Sequence, residues 1–313
     1  MPFSPKDCIE VSVCMITYKH ADFIIEAIEG VLLQNTSFRV ELLISNDNSP
    51  DDTDSIVREY FRNCKFPKNI EVRYIFQKPN LGMARNFLWT MGNCRGKYIA
   101  LCEGDDFWRD PLKLQKQSNF LEENPDYILS FHNSDIIDAN NSLVHSKYLE
   151  EFNKRDICFH EFSTGEFVIP TQSVVFRNIG VRFLPSSFLT VLNTDTFLYF
   201  MLSSIGKFHY HDDIASSAYR KHDHGVWTST NSFQKSLSGL DTFLKLSEIV
   251  PNNKGLSGKI RSLRIQVIFY SFKSKEWSLF FKHYFKTLTL IFLDYQLFNK
   301  FIQFHMKVVK NRF

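Results

Sequence analysis

Several absences narrow the possibilities before any motif is read. No run approaches the roughly 18 apolar residues of a membrane-spanning helix, and the opening stretch, MPFSPKDCIE, lacks the apolar centre of a secretory signal. The six cysteines (Cys8, Cys14, Cys64, Cys94, Cys102, Cys158) include no CxxC pair, which argues against a disulfide framework or a zinc site. Cys14 and Cys102 lie in apolar runs, where a thiol behaves as a small hydrophobe. A reducing cytoplasm is the expected compartment. Charge of one sign is not in excess: 37 Lys+Arg against 34 Asp+Glu leaves +3, so no global basic field points to nucleic acid. Neither a GxxxxGK[ST] phosphate loop nor an internal repeat nor a low-complexity tract is present.

What remains is a chain of 313 residues with 32 phenylalanines, enough to fill the core of one large α/β domain with or without a helical appendage. The first half alternates strand and helix signals. Val11–Ile16, Val40–Ser45, Ile70–Gln77 and Tyr98–Cys102 read as near-continuous apolar strands. Helical periodicity covers Ala21–Gln34, Ser55–Cys64 and about Met83–Asn93. Such alternation predicts a mostly parallel sheet covered on both faces, with ligand at the carboxyl ends of the strands. Thr17-Tyr18, Asn46–Ser49 and Glu103–Asp106 all fall at those ends. Beyond residue 127 the spacing predicts strands at Tyr127–Phe131, Ser173–Phe176 and Gly206–Tyr210, a helix over Asp195–Ile205, loops rich in His, Asn and Asp, and a connector over Thr228–Ser238. The rest reads as helices.

The stretch YIALCEGDDFWR runs a buried strand into three carboxylates within four residues, Glu103, Asp105 and Asp106. Carboxylate clusters of this kind suit Mg2+ or Mn2+, which commonly bridge substrate phosphates. Acidic turns are also ordinary solvated surface. Placement between a buried strand and Phe107-Trp108 favours the cation.

At this point the ordered pieces Val11-Ser-Val-Cys-Met-Ile-Thr-Tyr18, Glu41-Leu-Leu-Ile-Ser-Asn-Asp-Asn-Ser49 with Asp51-Asp-Thr53, Asn80-Leu-Gly82 with Ala84-Arg-Asn86, Gly96–Trp108 and Tyr219-Arg-Lys-His222 are similar to those of family 2 glycosyltransferases. The similarity covers about residues 9–227. It implies an inverting, nucleotide-sugar-dependent enzyme of the GT-A fold: a Rossmann-like, mostly parallel sheet flanked by helices, here with a C-terminal helical extension. The implied organisation is a catalytic domain over 1–230, with a nucleotide-binding half at about 9–126 and an acceptor-binding half at about 127–230, then the extension at 231–313.

The resemblance also assigns roles. Thr17, Tyr18 and Asp47 would contact the nucleoside, an Asp accepting from a base N–H and an aromatic ring stacking on the base. A strand end packed on the next helix, or an Asx turn at Asp47, are the plain readings of the same residues. Glu103 and Asp105 match the family's DxD pair, with Asp105 as metal ligand and Glu103 at the ribose or reaching the metal through water. His222 would complete the protein ligands of a Mn2+ or Mg2+ ion. Asp106 is left to cap the turn, and His209, His211 and His224 to loops. Arg220 is open between a diphosphate contact and a structural salt bridge. Inversion needs a general base, implied at Asp195, where a helix N-cap is the competing role; Asp212 and Asp213 are the fallback. Thr171–Ser173 and the histidine-rich loops are expected to line the acceptor pocket. Two departures stand out: Glu103 replaces the usual Asp, and Asn46 the first acid of a frequent Asp-Asp pair.

The implied partners are a nucleotide-sugar donor, UDP-sugar favoured, and a glycan or lipid-linked acceptor, with no nucleic acid. From Ser271 onward eight basic residues face two acids, and Leu297, Phe298, Phe301, Ile302, Phe304, Val308 and Val309 share one helical face. Such a basic amphipathic segment fits peripheral contact with the inner face of the plasma membrane; packing on the chain's own catalytic domain fits as well. Two rival functions are a nucleotidyltransferase, opposed by the absence of glycine in TYKHAD, and a nucleotide-sugar-binding protein without turnover.

Overall fold

The computed structural model describes residues 8–223 and 225–291. Its first half follows the alternation in the sequence: β1 (Ile9–Thr17), α1 (Ile24–Leu32), β2 (Arg39–Asn46), α2 (Thr53–Asn63), β3 (Ile70–Phe76), α3 (Met83–Gly92), β4 (Tyr98–Leu101) and α4 (Lys113–Glu123). Because side chains alternate across a strand, Val11, Val13 and Met15 of β1 turn to one face, where they are fully buried with Ile24, Ala27, Ile28 and Val31 of α1. Cys14 and Ile16 point the other way, beside Met83 and Phe87 of α3. Each such aliphatic side chain contributes roughly 1.5–3 kcal/mol on burial, so the two helices hold the sheet from both sides.

The second half adds β5 (Tyr127–His132), β6 (Ser134–Ile137), β7 (Leu143–His145), α5 (Phe159–Phe162), β8 (Val175–Arg177), α6 (Thr194–Ser203), β9 (Lys207–His211) and β10 (Ser217–Arg220). The central sheet has the order β3-β2-β1-β4-β8-β5-β9. Its pairs β3–β2, β2–β1, β1–β4 and β5–β9 are parallel, and β8 runs antiparallel to both neighbours. Beyond the strands, Asp47 N–H donates to Thr17 O at 2.9 Å and Gly104 N–H to Ile16 O at 3.0 Å. The ladders therefore continue past the strand ends and carry three polar segments to one edge.

Three expectations are corrected. The stretches read as loops hold a second sheet of order β10-β6-β7, with β10 parallel to β6. His209 and His211 stand on β9 rather than in a loop: His209 stacks on Phe120 with ring centroids 3.7 Å apart and bonds Asp156, while His211 bonds Asp213. The expected connector over 228–238 is mostly helical: its first two residues end the short helix Val226–Ser229, and a long helix starts at Ser232. There Asn231 and Gln234 form a reciprocal capping box at the start of α8 (Ser232–Ile249).

The described residues divide into two compact units, 8–162, 167–190 and 194–223 in the first, and 163–166, 191–193 and 225–291 in the second. The second unit carries a short helix α7 (Val226–Ser229), then α8, α9 (Lys254–Lys273) and α10 (Trp277–Ile291). It is built on Leu240, Phe243, Leu246, Leu256, Ile260 and Val267, all buried. No helix among the described residues is long and apolar enough to cross a membrane. The apolar face expected over Leu297–Val309, like His224, lies outside the described residues.

Candidate active site

The acidic turn after β4 is clamped on two sides. Against β1, Gly104 has no room for a side chain: an added Cβ would stand 2.7 Å from Thr17 Oγ1 and 3.0 Å from His20 Nδ1. Against β10, Phe107 and Ala218 exchange backbone hydrogen bonds, and the Arg220 N–H donates to the Asp106 carboxylate at 2.9 Å. Trp108 closes the turn, its Nε1 donating to Gln172 O at 2.6 Å. Asp106 thus ties the turn to β10, where the sequence reading had it cap the turn.

The clamp presents Asp105 to two imidazoles. His222 Nε2 lies 3.1 Å from Asp105 Oδ2, and His20 Nε2 lies 3.7 Å from the same oxygen. The ligand atoms of His20, Asp105 and His222 all fall within 4.8 Å of one another, as do those of Glu103, Asp105 and Asp106. Burial alone would raise the Asp105 carboxyl, but His20 and His222 outweigh it and hold it below the usual range. Glu103 goes the other way: burial first, then the charges of Asp105 and Asp195, push it up to about 8. Burial also raises Asp106, with Asp105 and Glu103 adding to it. One carboxylate is kept ionised by imidazoles while its neighbours resist ionising together, the electrostatics of a site short of positive charge. The donor set, carboxylates plus imidazole nitrogens, fits a divalent cation.

Beside this cluster a cavity is lined by Cys14, Ile16, Met83, Phe87, Leu101, Glu103, Thr171, Thr194 and Asp195. Asp195 sits in the first turn of α6 and accepts the Thr196 N–H at 2.6 Å. The capping role and an opening to the cavity coexist, since one carboxylate has more than one acceptor site. Burial lifts its pKa above the ordinary aspartate range, opposed by Thr196. Glu103 and Asp195, 92 positions apart in sequence, share one wall.

The other expected residues are placed as follows. Tyr18 is exposed at the end of β1, with Lys19 Nζ 5.4 Å above its ring. Thr17 is buried, its hydroxyl without a hydrogen-bond partner. Asp47 is buried, and its two oxygens accept the N–H groups of Leu81 and Gly82 at 2.7 and 2.9 Å. It braces the Asn80–Gly82 turn against the end of β2.

Arg220 takes one of the two roles left open for it. Its side chain is 1% exposed, and all three guanidinium nitrogens donate within the protein: to Asp105 O, to Asp138 O and Asn141, and to the Glu26 carboxylate. A buried guanidinium satisfied in this way is a structural tie, the second of those two roles, and its donors are taken up within the protein in this arrangement. Of Thr171–Ser173, only Thr171 reaches the cavity; Gln172 and Ser173 are buried, with Gln172 Nε2 bonded to Ser134. The fallback Asp213 is drawn to His211 and Lys116, away from the cavity lining. His20 was missed. A lone histidine in a turn reads as solvated, and the signal that would have found it is its position three residues past Thr17, at the carboxyl end of β1.

Comparison with known proteins bears on the family and the fold. The sequence model for "Glycosyl transferase family 2" matches residues 12–198. The chain is 33% identical over 220 residues to protein Rv1520 of Mycobacterium tuberculosis, which covers 70% of this chain and 61% of that protein. It is 32% identical over 113 residues to the putative teichuronic acid biosynthesis glycosyltransferase TuaG of Bacillus subtilis, covering 36% of this chain and 42% of that one. Among solved structures, Staphylococcus aureus TarS residues 1–349 in complex with UDP-GlcNAc superposes with a TM-score of 0.62 at 12% identity, over 88% of this chain and 79% of that one. The mannosyltransferase PcManGT of Pyrobaculum calidifontis, in complex with GDP-Man and Mn2+, gives 0.58 at 13% identity, over 92% and 78%. At those identities the structural likeness speaks for the fold, a mostly parallel α/β sheet of the GT-A kind. The chain spans about three fifths of the Rv1520 length. With the family model matching well over half its length, this chain belongs to the family 2 glycosyltransferases.

Proposed function

We propose that the first unit is an inverting glycosyltransferase that moves a sugar from a nucleotide-sugar, UDP-sugar favoured, to a hydroxyl of a glycan or lipid-linked acceptor in cell-surface polysaccharide biosynthesis. The observation that carries this reading is the convergence of Asp105 and His222 beside a cavity walled by Glu103 and Asp195. Asp105 and His222 would hold Mn2+ or Mg2+, which when bound neutralises the donor diphosphate and eases departure of the nucleoside diphosphate. Thr17 and Tyr18 offer a hydroxyl and an exposed ring to the nucleoside, and Asp47 fixes the turn beside them. Asp195 takes the acceptor proton as its oxygen attacks the anomeric carbon from the face opposite the diphosphate. The UDP-GlcNAc bound to TarS, the GDP-Man and Mn2+ bound to PcManGT and the teichuronic acid assignment of TuaG support the donor class, the metal and the setting.

A thermal-shift panel tests this directly. UDP, dTDP, GDP and CMP, each with Mn2+, Mg2+ or EDTA, are added to the full chain. Binding to the folded state raises the melting temperature by mass action. One diphosphate nucleotide should give a shift that needs metal and disappears in Asp105→Asn. If no nucleotide shifts the transition under any metal, the acidic turn is structural and the reading fails.

The setting extends to the inner face of the plasma membrane, reached through the second unit. On α10, Trp277, Phe281 and Phe285 are 47%, 49% and 60% exposed and recur at every fourth position, flanked by Lys282 and Lys286. An exposed aromatic stripe beside lysines suits an anionic lipid interface. Replacing all three aromatics by serine should weaken binding to phosphatidylglycerol vesicles by about tenfold, given the apolar area withdrawn. Equal co-sedimentation of variant and parent, with melting unchanged, would remove α10 from the interface.

A further inference from the structure

We infer that His20 is a protein ligand of the divalent cation, so that the ion is held by two imidazoles and one carboxylate, His20, His222 and Asp105. The inference rests on the metal reading above and adds a residue and a selectivity to it. His20 and His222 approach the same oxygen of Asp105 from different directions, their rings 83° apart with centroids separated by 5.9 Å. The His222 distance of 3.1 Å is an ordinary hydrogen bond, but the 3.7 Å from His20 is too long for one. Two donors each about 2.1 Å from a common ion stand about 3 Å apart at right angles and about 3.6 Å apart at 120°. Both spacings are those of ligands around one cation.

The rest of His20 agrees with a fixed, purpose-held ring. Its side chain is 15% exposed, and its Nδ1 is buried without a hydrogen-bond partner. Neither nitrogen is satisfied within the protein, an unusual state for a largely buried imidazole. Its backbone is anchored at both ends, the N–H donating to Thr53 Oγ1 at 3.1 Å and the carbonyl accepting from Ile24 N–H at 2.9 Å as α1 begins. The three ligands come from three rigid places: the β1–α1 turn, the clamped turn after β4, and the segment after β10. Fixed placement of this kind is what a metal centre requires. A second imidazole moves the site away from Mg2+, which prefers all-oxygen ligands, toward transition dications such as Mn2+ or Co2+.

Pulsed electron paramagnetic resonance on the full chain, with Mn2+ alone and with Mn2+ plus UDP, counts the nitrogens bound to the ion. The parent protein should show two imidazole couplings. His20→Gln should keep one, with a Mn2+ dissociation constant about tenfold higher or more and a much smaller change for Mg2+. His222→Gln should lose the other coupling. A single coupling in the parent, or unchanged Mn2+ affinity in His20→Gln, overturns the assignment of His20 and leaves the Asp105–His222 reading standing. Absence of bound Mn2+ in the parent, with and without UDP, overturns both. The nitrogen count in the parent decides the matter even if the variants fold poorly.

Discussion

Asp195→Asn should lower glycosyl transfer by about a thousandfold, within the range that a positioned general base supplies, while the metal-dependent thermal shift with nucleotide stays as in the parent. The amide keeps the size of the carboxyl and can still accept the Thr196 N–H, so α6 retains its first turn. What it loses is the ability to take a proton. The pH profile separates this role from a structural one. Only the ionised carboxylate is a base, so the rate falls as pH drops through the Asp195 pKa. Because burial raises that pKa, the acid limb of the parent should lie above the ordinary aspartate range, and the residual activity of Asp195→Asn should lack it. A variant with near-parental turnover, or one that loses nucleotide binding as well as transfer, would return Asp195 to capping alone. Asp212 and Asp213 would not inherit the role, since neither lines the cavity.

Local pattern explains most of what the sequence allowed. The ladder from β1 to β4 was legible because each strand is a short apolar run bounded by turn residues, and because three polar segments end such runs. Asp105, Glu103 and Asp195 were singled out through position at element ends and through family resemblance, and folding sets them in or beside one cavity. What the sequence left open or misread has a different cause. Arg220 is decided by Glu26, 194 positions away, and by carbonyls of the β6–β7 turn; nothing beside Tyr219 or Lys221 announces those partners. The sheet of β6, β7 and β10 consists of strands of three or four residues that mix polar and apolar side chains, too short to show a period, and β10 pairs in parallel with a strand some eighty positions earlier. Such pairing has no local signature. Asn231 was a different kind of miss, because the Asn-x-x-Gln capping signal was present and its Ser/Thr-rich surroundings read as linker. His20 shows the limit most clearly: its meaning lies in a distance to Asp105 that folding creates.

Lys113→Met should stabilise the protein at neutral pH by about 2 kcal/mol, the order of cost of an unpaired buried polar group, and raise its melting temperature by about 4–8 °C. Lys113 opens α4 and is fully buried, yet its Nζ has no hydrogen-bond partner. The face of Trp108, whose ring centroid lies 4.2 Å away, offsets only part of the cost of the buried ammonium, which exceeds that of a neutral polar group. Burial depresses its pKa to about 7, with Cys102 and Asp110 pulling weakly the other way. The sign follows from proton binding. Between pH 7 and its ordinary value near 10.5 the unfolded chain holds a proton on this lysine that the native state has released. Stability must therefore rise with pH across that window, by up to about 1.4 kcal/mol per unit from this group. Below pH 7 its destabilising effect is present in full. Methionine replaces the aliphatic stem of the lysine, ending one atom short where the ammonium stood, and its flexible thioether can still pack on Trp108. Denaturant titrations at pH 7 and pH 9 should show the variant more stable at pH 7, with the rise toward pH 9 reduced by about one proton's worth. Lower stability at pH 7, or an unaltered difference between the two pH values, would mean that the amine is paired in solution. Trp108 closes the acidic turn, so the nucleotide shift of the same variant reports whether the buried amine also sets the posture of Asp105. An unchanged shift in a more stable variant assigns Lys113 to the scaffold beneath the site, and a lost shift assigns it to the positioning of that turn.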